Sequence, residues 1–384
     1  MISDQRLSSQ EASRDTLLTL FLCGDVMTGR GIDQVLPYPG NPRLHEPYMT
    51  SAKDYAMLAE EVNGPIPKPV DFAYIWGDAL EEFRCINPDV RIINLETAVT
   101  ASRKFWAGKC IHYRMQPRNI PCISAAKIDC CVLANNHVLD WGYAGLTETL
   151  TTLDGANLKV AGAGRNLSEA EAPAIIEVAG KGRVMVFGFG HESSGIPSLW
   201  SARSDRPGVN LLPDLSEDTV RRIAKRILGL KREGDCVVAS IHWGGNWGYE
   251  VLSAQRQFAH RLIDQAQVDV VHGHSSHHPK GVEVYQGKPV VFGCGDFLND
   301  YEGISGYEEF RGDLTLMYFV TMDLATGKLV SLIMTPMQIR RFRLSYAHFD
   351  DVHWLQQGMD REVRSLGARI ELIDDFRLAL SAGK

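Results

Sequence analysis

The chain has 384 residues, 45% hydrophobic and 23% charged, with a formal net charge of −7. These proportions exclude wholesale disorder, and the mild acidity argues against a general nucleic-acid binder. No apolar stretch approaches the roughly 18 residues of a membrane span.

The first 16 residues are polar and read as an N-terminal tail. They lack a basic start, a long apolar run and a small-residue cleavage site, so neither a signal peptide nor an anchor is expected. The eight cysteines form no CxxC pair and read as buried free thiols, which points to a cytoplasmic location. Leu17–Cys23 is a strand running into Gly24-Asp25. Residues 31–75, rich in proline and glycine, read as a long loop or insertion that could form a lid. A helix is expected over Trp76–Cys85 and a strand over Val90–Leu95, ending at Glu96. The strand Ile128–Ala134 leads into Asn135-Asn136-His137, and Tyr143–Leu153 suits a helix. The motif AGAGR (161–165) lacks the spacing of a phosphate loop and reads as a strand-end loop. Cys236–Ile241 is a strand ending at His242, Gln255–Gln265 a helix, and Val268–Val271 a strand before His272-Gly273-His274. Val282–Tyr285 and Pro289–Phe292 form a hairpin, with further strands at Leu314–Met322 and Lys328–Met334. Short, uniformly apolar runs between helical segments indicate strands buried on both faces, hence an α/β fold. One catalytic domain is expected over residues 17–345, followed by a helical extension over 346–384.

The polar residues fall at the strand ends: Asp25, Glu96, Asn136-His137, His242 and the run His272/His274/His277. In α/β sheets the C-terminal strand ends form the ligand crevice. Carboxylate, amide oxygen and imidazole together suit one or two divalent ions such as manganese, zinc or iron. His137 follows Asn136 directly and is free to act as a proton donor.

The segments GDVMTGR (24–30), INLETAV (93–99), LANNHVLDWG (133–142), SIHWG (240–244) and HGHSSHHPKGVEVYQGKPVVFGCGDF (272–297) resemble the capsule-synthesis CapA/PgsA family associated with poly-γ-glutamate. That family resembles a branch of the calcineurin-type metallophosphatases. The resemblance covers roughly residues 18–300 and implies a four-layer α/β/β/α sandwich around two mixed sheets. It implies metal ligands at Asp25, Glu96, Asn136, His242, His274 and His277, with His137 as proton donor. Three positions depart from the metallophosphatase pattern. Met27 stands where Asp-x-His would place a ligand, Glu96 replaces an aspartate, and the closing histidines are spaced Gly-His-x-x-His. The implied activity is metal-dependent hydrolysis of a phosphoester or γ-glutamyl amide by a metal-activated water. The alternative is a non-hydrolytic accessory role in polymer synthesis or export.

Each residue also has a plainer reading. Glu96 could pair with Arg91 or Arg30. Asp140 could orient His137 or cap the following helix. Arg30 could bind an anionic small-molecule or polymer substrate, or form an ordinary salt bridge. His272 and His278, also in the histidine run, could orient ligands instead. Trp243, Trp247 and Tyr249 could line a cleft or pack in the core. Lys104, Lys109, Arg114 and Lys280 could form a cationic rim or lie solvated on the surface.

Overall fold

A computed structural model describes residues 16–383, so the expected tail lies outside the described residues except for Thr16. Seventeen strands build two large sheets. In chain order they are β1 (Leu17–Val26), β2 (Val90–Leu95), β3 (Cys130–Val132), β4 (Lys159–Ala161), β5 (Ala174–Val178), β6 (Gly182–His191), β7 (Leu211–Leu212), β8 (Cys236–His242) and β9 (Val270–His274). Then come β10 (Val282–Tyr285), β11 (Lys288–Val291), β12 (Asp296–Leu298), β13 (Leu314–Asp323), β14 (Lys328–Arg340), β15 (Arg343–Tyr346), β16 (Ala368–Leu372) and β17 (Leu378–Ala382). The first sheet has ten strands in the order β16-β17-β14-β13-β1-β2-β3-β4, with β12 beside β1 and β15 beside β14. The second has seven, in the order β7-β6-β8-β9-β11-β10, with β5 beside β6. Both sheets are mixed: β1 is parallel to β2 and antiparallel to β13, and β8 is parallel to β9 while β10 runs against β11.

The layers follow from side-chain alternation along the strands. Leu18, Leu20 and Leu22 of β1 and Val90 and Ile92 of β2 face Val184, Val186, Val238 and Val270 of the other sheet, forming the central core. The intervening residues Phe21, Cys23, Ile93 and Cys131 pack outward against the helices α1 (Arg30–Val35), α2 (Ala52–Asn63), α3 (Ala79–Ile86) and α4 (Gly142–Gly155). Phe187, Val237, Ala239 and Val271 do the same on the far side, against α5 (Glu217–Leu228) and α6 (Ser253–Ala266). The result is the expected four-layer α/β/β/α sandwich.

Three expectations change. Residues 31–75 carry α1 and α2 rather than a bare loop, because Ala52, Tyr55, Ala56 and Ala59 give α2 a buried stripe. Of residues 346–384, the described ones hold one helix, α7 (Phe349–Arg364), and then the hairpin β16–β17, which joins the first sheet through β14. Val352, Leu355, Met359 and Val363 of α7 close the central core. Six of the eight free cysteines are buried, but Cys85 and Cys110 are exposed. Among the described residues no helix is long and apolar enough to cross a membrane.

Candidate metal centre

The inward faces that carry aliphatic side chains through the core end in polar ones. Val90 and Ile92 are followed on the same face by Asn94 and Glu96, Val238 by Ser240 and His242, and Val270 by His272 and His274. Strand β1 reaches this pattern only through an irregularity. Leu22 pairs with Ile92 but Asp25 pairs with Asn94, so β1 holds one extra residue there. That bulge turns Asp25 off the helix-side face of Phe21 and Cys23 and onto the inner face. Gly24 permits the close approach of β12, since a Cβ at Gly24 would lie 1.5 Å from the Gly295 carbonyl oxygen.

Asp25, His242 and His274, all fully buried, come together. Two donors of one ion bonded at about 2.1 Å can lie at most about 4.2 Å apart. The Nδ1 atoms of His242 and His274 are 2.8 Å apart, and Asp25 Oδ1 lies 3.9 and 3.8 Å from them. The surroundings leave both nitrogens without a proton, although the Asn94 amide approaches His242 Nδ1 at 3.5 Å. The Cys23 carbonyl can only accept, so His272 Nε2 donates to it at 2.7 Å. His272 Nδ1 then accepts from Ser240 Oγ at 3.0 Å, and Ser240 Oγ accepts from His274 Nε2 at 2.9 Å. His242 Nε2 donates to Asn136 Oδ1 at 3.1 Å. Two imidazole lone pairs and a carboxylate oxygen thus face one point, an arrangement suited to a divalent ion.

The charge distribution agrees. Burial, then the Asp296 carboxylate, pushes Asp25 up to about 7. Burial and Asp25 raise Glu96 well above the usual carboxylate range. Burial holds His242 and His274 far below the ordinary histidine value. The centre therefore disfavours its own anions and lacks protonated histidines, so a cation would relieve it. Ser275 Nα donates to Asp25 Oδ2 at 3.2 Å from a backbone at φ 107°, a strained conformation for a residue with a Cβ.

The other expected ligands stand around this group. Glu96 Oε1 is 4.0 Å from His242 Nε2 and 3.7 Å from His137 Nε2, and it pairs with neither Arg91 nor Arg30. Asn136 Oδ1 meets the His242 ring at Nε2, 3.1 Å away, so it stands directly beside the three-donor group. His277 also lies outside that group, with Nδ1 on Asp296 Oδ1 at 2.8 Å. Burial opposes a charge on His277, but Asp296 outweighs it and raises the ring. His272 orients His274 through Ser240. His278 stacks on Phe310, away from the donors.

His137 Nδ1 meets Asp140 Oδ2 at 2.6 Å, so Asp140 orients the imidazole; the helix cap falls on Trp141 instead. Lys109 Nζ bonds Asp140 Oδ1 at 2.6 Å and the Asn136 carbonyl. It is part of the site rather than its rim. Burial above all lowers His137 to about 4, so the ring is neutral at pH 7. Arg30 is not available for substrate. Its guanidinium pairs with Asp300 at 2.5 and 3.1 Å and with Glu46 at 3.2 Å, and it stacks on Tyr55 and Tyr113. Of the expected rim, Lys280 is buried against the Glu250 carbonyl and Arg114 packs over Trp141. Trp243 is core, its indole bonded to the Phe292 carbonyl, whereas Trp247 lines a cleft of about 720 Å³ that also reaches His277 and Tyr301.

The sequence reading missed Asn94, Ser240 and Asp296. Asn94 Nδ2 bonds Asp25 Oδ1 at 2.7 Å. The every-second-residue pattern of β2 and β8 pointed to Asn94 and Ser240. Asp296 becomes visible only when β12 pairs beside β1, with Asp25 opposite Asp296.

The family of bacterial capsule synthesis proteins, PGA_cap, matches residues 19–301. A probable polyglutamine synthesis accessory protein of Mycobacterium tuberculosis is 48% identical over 94% of each chain. The PGA biosynthesis protein CapA of Bacillus subtilis is 28% identical over 82% of this chain and 70% of its own length. Among solved structures, a phosphatase from Mycoplasma pneumoniae is 11% identical with a TM-score of 0.45, covering 84% of this chain and 94% of its own.

Proposed function

This chain belongs to the PGA_cap family of bacterial capsule synthesis proteins, and from that premise we propose that it is a metal-dependent hydrolase acting on a phosphoester or γ-glutamyl amide. The observation that carries this reading is an acid/base pair beside a cation cradle: His137, held by Asp140, turns its Nε2 toward Glu96 next to the Asp25–His242–His274 group. A divalent ion, manganese, zinc or iron by donor type, would supply Lewis acidity there and lower the pKa of a bound water.

The chain's own residues do the rest. Asp140 accepts from His137 Nδ1 and fixes the tautomer, leaving Nε2 as the working atom. The ring enters neutral, takes the proton shed by the attacking water at Nε2, and passes it to the leaving group. Lys109 holds Asp140 in register with the Asn136 carbonyl. The Ser240–His272 relay keeps the His274 Nδ1 lone pair turned inward. In this reading substrate binds in the cleft lined by Trp247, His277 and Tyr301.

The test is to measure bound metal and then assay a phosphodiester, a phosphomonoester and a γ-glutamyl peptide with added manganese or zinc. Turnover of one of them, lost on metal removal, supports the reading. A fully loaded protein inactive on all three favours a second reading, a non-hydrolytic accessory role in polymer synthesis. The printed name of the Mycobacterium tuberculosis relative favours that reading.

A further inference from the structure

Resting on the hydrolase reading, we propose that Tyr301 is a further catalytic residue, whose phenol donates a hydrogen bond to the negatively charged oxygen of the substrate. Its place is the cleft that reaches His277. Tyr301 is half-buried and lines the cleft together with His277, whose ring it meets edge-on at 5.5 Å.

The hydrogen bonds around the phenol leave its proton uncommitted to any strong acceptor. Tyr113 Oη donates to Tyr301 Oη at 2.9 Å, so the Tyr301 proton must go elsewhere. It points at Met27 Sδ, 3.6 Å away. A thioether is a weak acceptor. An anionic oxygen entering from the cleft would be a far stronger one, and donation from Tyr113 polarises the Tyr301 hydroxyl toward it. Met27 lies two residues beyond Asp25 in the chain, so the phenol meets the segment that leaves the cradle. Methionine there brings no ligand to an ion, but it leaves the tyrosine proton available.

Hydrogen bonds pin the segment on both sides of Tyr301. Tyr301 Nα donates to Asn299 Oδ1 at 3.1 Å, and Asn299 Nδ2 donates to Asp296 Oδ2 at 2.9 Å. Asp300 clamps Arg30, and Glu302 accepts from Arg341 Nα and Phe342 Nα at 2.7 Å each. A donor fixed before substrate arrives needs no reorganisation during the reaction, which is what makes such groups effective.

The test uses the full chain loaded with manganese and compares wild type with Y301F, which removes the hydroxyl and keeps the ring. Inorganic phosphate is titrated by calorimetry, and kcat and KM are measured on a phosphodiester. Y301F should keep its manganese, bind phosphate about 10–100-fold more weakly and lose about 10²–10³ in kcat with KM little changed. Unchanged phosphate affinity and kcat in Y301F, or no phosphate binding by loaded wild type, overturns the assignment. If Y301F does not fold, Y113F replaces it: a several-fold loss of phosphate affinity supports the assignment, and none overturns it. Wild-type protein that binds phosphate through Tyr301 but turns nothing over sinks the hydrolase reading alone.

Discussion

Two buried charge clusters lie five residues apart along the chain, one at Arg30 and one at Asp25, and they are built in opposite ways. Arg30 is matched: Asp300 and Glu46 both pair with it, two aromatic rings cover its faces, and the Tyr55 hydroxyl bonds both Arg30 and Glu46. Burial works against its charge, yet the carboxylates outweigh it and raise the guanidinium above its usual range. Asp25 is unmatched. It accepts from Asn94 and Ser275, but among the described residues no lysine or arginine pairs with it: its charged neighbours are two further carboxylates, two histidines that burial keeps neutral, and His277, which is already engaged by Asp296. A network with every charge answered holds a fold together. One whose charges stay unanswered waits for a ligand.

Substitutions can break this contrast. The largest effect is expected at His137. H137N should lower turnover by about 10²–10⁴ while metal content stays near normal; loss of metal instead would make His137 a ligand. At the matched cluster, R30M should cost about 3–5 kcal/mol in denaturant unfolding, because it strands Asp300 and Glu46 as buried unpaired charges. A variant as stable as wild type would show that the cluster is not what its geometry says.

The unmatched cluster should reveal itself through pH. Asp25 rises from 3.8 to about 7 on folding, so the metal-free native state binds the extra proton. The contribution of Asp25 to stability is then full below pH about 4 and falls as pH rises toward 7, by at most about 1.4 kcal/mol per unit. Stabilisation by added manganese should grow over the same window, because ion and proton compete. Thermal unfolding with and without metal checks both slopes, and flat metal-free stability from pH 4 to 7 would contradict the assignment. The smallest effect belongs to the relay: S240A should weaken metal binding about 10–100-fold by freeing the tautomer of His274, with little change in turnover at saturating metal.

Much of this was legible one segment at a time. Val90–Leu95 is a strand with the bounds its apolar run suggests, and Cys236–His242 runs one residue further than expected. Such runs signal strands covered on both sides, and a polar residue closing each run signals a site. The Pro- and Gly-rich stretch hid α2, whose buried stripe is made of alanines and Tyr55, a weak hydrophobic signal. The hairpin β16–β17 was hidden because its apolar residues meet a sheet edge assembled from distant sequence.

The sequence by itself determined the strands, their polar ends and the kind of chemistry those ends could support, because hydrophobic periodicity and ligand type are local properties. Only the tertiary structure decided which donors share a point. The bulge that turns Asp25 inward, the pairing that sets Asp296 beside it, the capture of Arg30 by Asp300 and the aim of Tyr301 toward Met27 all depend on strand register and loop paths. Those are fixed by packing between segments as much as 274 residues apart.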